Sequence, residues 1–143
     1  MLGGIRWKYT RAELYIMRGL HAAGFRYRLH DRSLPGCPDL VFPGRKAAIL
    51  VHGCFWHGHD CSLFRWPASR REFWEAKIMR NRERDIEVEA SLLHSGWRVM
   101  TIWECALKGR GKLDADTVIC RTASWLRSNE QTGEIRGETN AGR

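Results

Sequence analysis

Ala47-Ala48-Ile49-Leu50-Val51 is an unbroken apolar run, and it leads straight into His52-Gly53-Cys54-Phe55-Trp56-His57-Gly58-His59-Asp60-Cys61. A strand covered on one face alternates apolar and polar residues. A continuous run predicts a central strand covered on both faces. Working outward, helical patterns lie on either side. Thr10-Arg11-Ala12-Glu13 has capping-box spacing, Leu14, Met17 and Leu20 follow at helical intervals, and Gly24 is a stop. Residues 69–93 read as a long charged helix with Phe73, Ile78 and Val88 as inward positions, closed by Gly96. Asp114 to Leu126 predicts a last helix with Val118, Ile119, Thr122 and Trp125 on one face. Further strands are predicted where Phe25, Tyr27 and Leu29 alternate, over Asp39 to Phe42 before the Pro43-Gly44 turn, and over Trp97 to Trp103. The expected fold class is α/β, a mixed central sheet flanked by helices.

The 143 residues fit one domain with a hydrophobic core of its own. Residues 1–9 read as a short lead-in and 10–127 as the domain. Residues 128–143, polar and poor in apolar side chains, read as a disordered tail. No apolar run approaches the ~18 residues that cross a membrane. Met1 to Trp7 has no apolar core of a signal peptide, so the cytoplasm is the expected compartment.

Lys and Arg number 24 against 16 Asp and Glu, a net charge of +8. That balance attracts polyanions, nucleic acid foremost, and says nothing about fold. Five cysteines, Cys37, Cys54, Cys61, Cys105 and Cys120, occur without a secretion signal. An odd number in that setting points to metal ligation or plain burial rather than a disulfide framework.

The loop after the apolar run carries the chemistry. Three histidines and two cysteines fall within residues 52–61, a density that metal ligation or acid–base work explains. His59 and Cys61 are two apart, so a loop can aim both at one zinc ion. The remaining ligands must come from elsewhere, with Cys105 and the carboxylates Glu72, Glu75, Glu83, Asp85, Glu87 and Glu89 as candidates that spacing does not separate. Pro38-Asp39 precedes a strand beside Val51-His52, a platform for Mg²⁺, although Pro-Asp is also a common turn dipeptide. Phe55, Trp56, Trp66 and Trp74 lie in or beside the loop among basic residues, an arrangement suited to stacking on bases or to packing inward.

His52-Gly-Cys-Phe-Trp-His57 followed by His59-x-Cys61 is very similar to the core of the very short patch repair (Vsr) endonucleases. The resemblance extends in order through Ser33-Leu-Pro-Gly-Cys-Pro-Asp39, Arg71-Glu-Phe-Trp-x-x-Lys77-Ile, Asn81-x-Glu-Arg-Asp85, Gly96-Trp-Arg-Val and Trp103-Glu-Cys105. It covers about Thr10 to Leu113. It implies a fold like that of type II restriction enzymes, in the PD-(D/E)xK superfamily, with one structural zinc. It implies a Mg²⁺-dependent nicking endonuclease that cuts 5′ of the thymine in T:G mismatches of double-stranded DNA. Asp39 matches the metal-binding carboxylate, and Val51 a ligand through its backbone carbonyl where the family usually has Thr. His52 and His57 match active-site histidines, and Glu13 a carboxylate that reaches the site through water. His59, Cys61, Asp85 and Cys105 match the zinc ligands. Phe55, Trp56 and Trp74 match aromatics that wedge beside the mismatch.

Two departures accompany these matches. The Glu-x-Lys of restriction-type sites is replaced by Ile-Leu-Val-His, as in this family. Family members also carry a longer basic N-terminal arm, whereas Arg6, Lys8 and Arg11 are the cations before the first helix is established. Weak DNA binding and slow nicking are expected on that account. The expected protein is a monomer acting on DNA, away from membranes, with other mismatch-repair proteins as further partners. Two rivals are a zinc-stapled DNA-binding relative that no longer cuts, and a related nuclease for other damaged DNA.

Overall fold

The computed structural model describes residues 10–138. The lead-in expected over residues 1–9 and the end of the expected tail, residues 139–143, lie outside the described residues. Helix α1 (Arg11–Ala22) starts where the sequence predicts. The Glu13 amide donates to Thr10 Oγ1 and the Thr10 amide to Glu13 Oε1, both at 3.1 Å, so two N-terminal amides are satisfied reciprocally. Ile16, Met17 and Leu20 face the core, while Leu14 stays partly exposed. Strand β1 is short (Arg28–Leu29), β2 covers Leu40–Phe42, and β3 covers Ala47–His52. Of the alternating Phe25-Tyr27-Leu29 pattern only Arg28 and Leu29 pair. Phe25 instead enters the core, and Tyr27 donates its hydroxyl hydrogen to the Met17 carbonyl at 2.8 Å.

Helix α2 (Arg71–His94) crosses from β3 to β4 (Arg98–Trp103), and α3 (Ala115–Arg127) crosses from β4 to β5 (Thr132–Ile135). The five strands lie in chain order. The β1–β2 and β2–β3 pairs are antiparallel, and β3–β4 and β4–β5 are parallel. β3 is covered on both faces, as its unbroken apolar run requires. Ala47 and Ile49 pack with α1 and α3, together with Leu20, Val118 and Leu126. Ala48 and Leu50 pack on the other face with Leu92 and Val88 of α2. Leu20 is 1% exposed, and its truncation to Ala removes about 2–5 kcal/mol. Phe73, expected to point inward, lies 44% exposed. α2 buries only Ile78 and Leu92 fully, Ile78 beside Gly58 of the loop and Leu92 against the sheet. No helix among the described residues is long and apolar enough to cross a membrane.

The expected disordered tail is corrected over residues 128–138. Thr132–Ile135 forms β5, with Ile135 opposite Ile102 and buried in the main core. The segment is polar because Ile135 is its single inward apolar side chain. Its order comes from the edge of β4 and from Trp125, whose Nε1 donates to the Thr132 carbonyl at 3.0 Å. Gly133 permits this packing, since a Cβ there would meet the Trp125 ring at 2.8 Å.

Candidate active site and metal centre

The antiparallel β2–β3 pair sets Asp39, just before β2, beside the C-terminal end of β3. The Val51 amide donates to Asp39 Oδ2 at 2.7 Å, and His30 Nδ1 lies 3.8 Å from Asp39 Oδ1. Burial nevertheless pushes the Asp39 carboxyl above the usual carboxylate range, against the Val51 hydrogen bond and His30, which pull it down. The site therefore favours its anion less than water does, and a bound cation would reverse that.

His52 ends β3 opposite Trp103. Its ring stacks on His57, with centroids 3.9 Å apart and planes within 5°. Burial, followed by the neighbouring His57, lowers the His52 pKa to about 4, so this imidazole is neutral near pH 7. His52 Nδ1 is buried without a hydrogen bond. His57 is fixed from the other side, since its Nδ1 lies 2.6 Å from Oδ2 of Asp85 on α2. Asp39, Val51, His52, His57 and Asp85 line one cleft of about 580 Å³, with Arg32 and Arg84 also in its wall. Neither arginine stood out in the sequence, where each is one basic residue among many.

Glu13 lies on the far side of Asp39. The two share a smaller cavity of about 210 Å³ with His30 and apolar side chains of α1 and the sheet. Burial raises the Glu13 carboxyl above its ordinary value, opposed by the Thr10 amide and reinforced by Asp39 and Glu104. Its capping role is formed, and it reaches towards Asp39 rather than into the histidine cleft.

Gly58 divides the loop between two centres. Its φ of +60° and a Cβ position 2.7 Å from Ile78 Cγ2 suit glycine alone, and the turn sends His57 one way and His59 the other. His59 joins Cys54, Cys61 and Cys105, whose ligand atoms all lie within 4.8 Å of one another. His59 Nδ1 is 3.5 Å from Cys54 Sγ and 3.6 Å from Cys105 Sγ. Tetrahedral zinc with Zn–S near 2.3 Å and Zn–N near 2.0 Å separates such atoms by roughly 3.5 Å, so the donor set fits the ion. Burial pushes the Cys54 and Cys105 thiols up, so thiolates form here only against a cation.

This geometry corrects the expected ligand set. Asp85 does not join His59, Cys61 and Cys105. It belongs with His52 and His57, and Cys54 completes the other group. α2 carries Asp85 past His57, while Cys54 turns its sulfur into the buried space between His59 and Cys105. The overlooked signal was sulfur itself: Cys54, His59 and Cys61 share one short loop.

Glu104 fastens that loop, accepting from the Cys54 amide at 3.0 Å while Lys108 reaches its other oxygen at 3.0 Å. Asn81 donates to the Trp56 carbonyl at 2.8 Å. Phe55, Trp56 and Trp74 form one aromatic group, with centroids 5.1–5.7 Å apart, and Trp56 is 49% exposed. Phe73 extends it beside Trp74, and Trp66 does so through Phe64, with Arg70 over Phe73 and Arg71 over Trp66. The result is an aromatic and cationic surface shared by the loop that bears His57 and the start of α2.

Comparison with known proteins places the chain among the DNA mismatch endonucleases. The family model described as DNA mismatch endonuclease Vsr matches residues 1–63. The type II nicking enzyme V.XorIIP of Xanthomonas oryzae is 49% identical over 111 residues, 78% of this chain and 82% of that protein. The DNA mismatch endonuclease Vsr of Escherichia coli is 44% identical over 126 residues, 88% of this chain and 81% of that protein. The type II nicking enzyme V.NmeAIP of Neisseria meningitidis is 42% identical over 106 residues, 74% and 76% of the two chains.

Proposed function

We propose, for a chain that belongs to the DNA mismatch endonuclease Vsr family, that it nicks one strand of duplex DNA 5′ of the thymine in a T:G mismatch. The observation that carries this reading is the single cleft in which Asp39, Val51, His52, His57 and Asp85 meet beside an exposed aromatic surface. The fold is read as restriction-endonuclease-like, with β2 and β3 as the strands that hold the catalytic groups.

Asp39 and the Val51 carbonyl would hold Mg²⁺, which when bound supplies Lewis-acid charge to a phosphate oxygen. The chain's own groups do the remaining work. Water attacks phosphorus in line, the bond to the 3′ oxygen breaks, and the products are a 5′-phosphate and a 3′-hydroxyl. His57, its Nδ1–H held by Asp85, accepts the proton of the attacking water at Nε2. His52, stacked on His57, holds that ring in place, and solvent water protonates the departing 3′ oxygen. Arg32 and Arg84 line the same cleft and hold flanking phosphates. Glu13 acts through water on the Asp39 side. Phe55, Trp56 and Trp74 wedge into the stack, which costs less at a mismatch than at a paired step. Cys54, His59, Cys61 and Cys105 would hold zinc; four protein ligands leave no open position, so its role is structural.

The test is a nicking assay on T:G and matched duplexes, each with Mg²⁺ and with EDTA. Nicking confined to T:G with Mg²⁺ is the expected result. Binding without cleavage, or equal cleavage of both duplexes, would overturn it.

A further inference from the structure

The segment after β5 touches both halves of the Cys/His centre. Cys54, His59 and Cys61 come from the loop after β3, and Cys105 from the turn after β4. Arg136 reaches the first half, donating to the Asp60 carbonyl at 3.0 Å and pairing with Asp60 Oδ1 at 2.9 Å, between His59 and Cys61. Gly137 reaches the second, its amide donating to Cys105 Sγ at 3.2 Å. The approach is close: a Cβ on Gly137 would lie 2.2 Å from the Cys105 carbonyl oxygen. The Glu138 amide then donates to the Gly111 carbonyl at 2.8 Å. Behind these contacts, Ile135 anchors β5 in the core.

We propose that residues 136–138 are a clasp on the metal centre, so that docking of β5 and retention of the metal are one cooperative event. An amide that donates to a metal-bound thiolate disperses its charge and fixes its direction, and such outer contacts govern how tightly the ion is held. Arg136 clips the loop that supplies three ligands to the strand that neighbours the fourth. Each half of the centre is thus held from outside by the segment. The inference rests on the metal reading of the cluster.

The experiment uses the full chain loaded with zinc, the R136Q and G137A variants, and L126A as a core truncation remote from the centre. Zinc release to a chromogenic chelator and thermal unfolding are measured for each. R136Q and G137A are expected to release zinc between about ten- and a hundredfold more readily than the parent, and more readily than L126A at matched loss of unfolding temperature. Co²⁺-loaded G137A is expected to show a shifted thiolate-to-metal band. Release no faster than from L126A, with an unshifted band, overturns the clasp. Should the variants fail to fold, hydrogen exchange on the parent decides. Extracting the metal is expected to expose the Gly137 amide and the β5 amides, whereas unchanged protection overturns the proposal. A parent chain that binds no zinc at all overturns the reading of the cluster itself.

Discussion

His57 Nδ1 and Asp85 Oδ2 stand 2.6 Å apart, although 28 positions separate them in the chain. A histidine held in this way has its tautomer chosen and its other nitrogen aimed. Asp85→Asn keeps the shape and removes the charge. Nicking should fall by on the order of a hundredfold or more. Zinc content should stay at the parent level, because Asp85 is not in the Cys/His group. Metal analysis and single-turnover nicking of the same preparation check both halves, and loss of zinc from this variant would return Asp85 to the ligand set.

Cys54 carries the complementary expectation. Cys54→Ala should lose zinc as completely as Cys105→Ala, since both buried sulfurs flank His59 Nδ1. Structural zinc binding is coupled to folding. A large fall in unfolding temperature should therefore accompany the loss, and retention of one zinc per chain would sink the assignment.

Asp39→Asn separates chemistry from stability. Burial raises the Asp39 carboxyl, so the fold disfavours its charged form. That cost is absent below the ordinary carboxylate pKa and grows as pH rises towards the folded value. At neutral pH without Mg²⁺, the variant should unfold no more easily than the parent, while Mg²⁺-dependent nicking disappears and duplex binding persists. Melting curves with and without Mg²⁺, alongside nicking rates, read this out. A variant that nicks at the parent rate would remove Asp39 from the site.

His52 makes the fold sensitive to acid. Its pKa drops from 6.5 to about 4 on folding, so the unfolded chain takes up a proton that the folded chain refuses. The contribution is intact above pH 6.5 and is lost as pH falls towards about 4. The loss is on the order of 2 kcal/mol for this partly buried ring. His52→Asn should show a shallower decline between pH 7 and pH 4.5 in denaturant titrations. An identical slope in the two proteins would contradict the assignment.

Trp56, exposed in the free protein and in contact with Phe55 and Trp74, should matter most when bases unstack. Trp56→Ala and Phe55→Ala should weaken binding to T:G duplex more than to matched duplex, by about 1–3 kcal/mol per stacked base. Equal losses on the two duplexes would make these aromatics packing residues of the loop.

The core was the most legible part of the sequence, because periodicity reports coverage directly. The apolar run of β3 required two faces of helix, and the Thr10–Glu13 spacing required a helix start; both are present. The density of His and Cys marked the functional loop. What spacing could not give was distance across a crossover. Asp85 and Cys105 reach residues 57 and 59 only because α2 folds back along the sheet. β5 was missed for a related reason: it contributes Ile135 to the core and takes its remaining order from β4 and Trp125. Phe73 was misplaced because an aromatic beside a basic, aromatic loop can serve a surface as well as a core.

The parallel pairing of β3 with β4, His52 opposite Trp103, also orders events in time. A nascent chain that has left the ribosome through α2 already carries Asp39, His52, His57 and Asp85. It lacks β4, the neighbour that fixes one whole edge of β3, and it lacks the sulfur of Cys105. The loop bearing His57 is then held by Asn81 and Asp85 of α2, but not yet by Glu104 or Cys105. The last fastenings of that loop thus arrive late in synthesis, with the residues that follow α2.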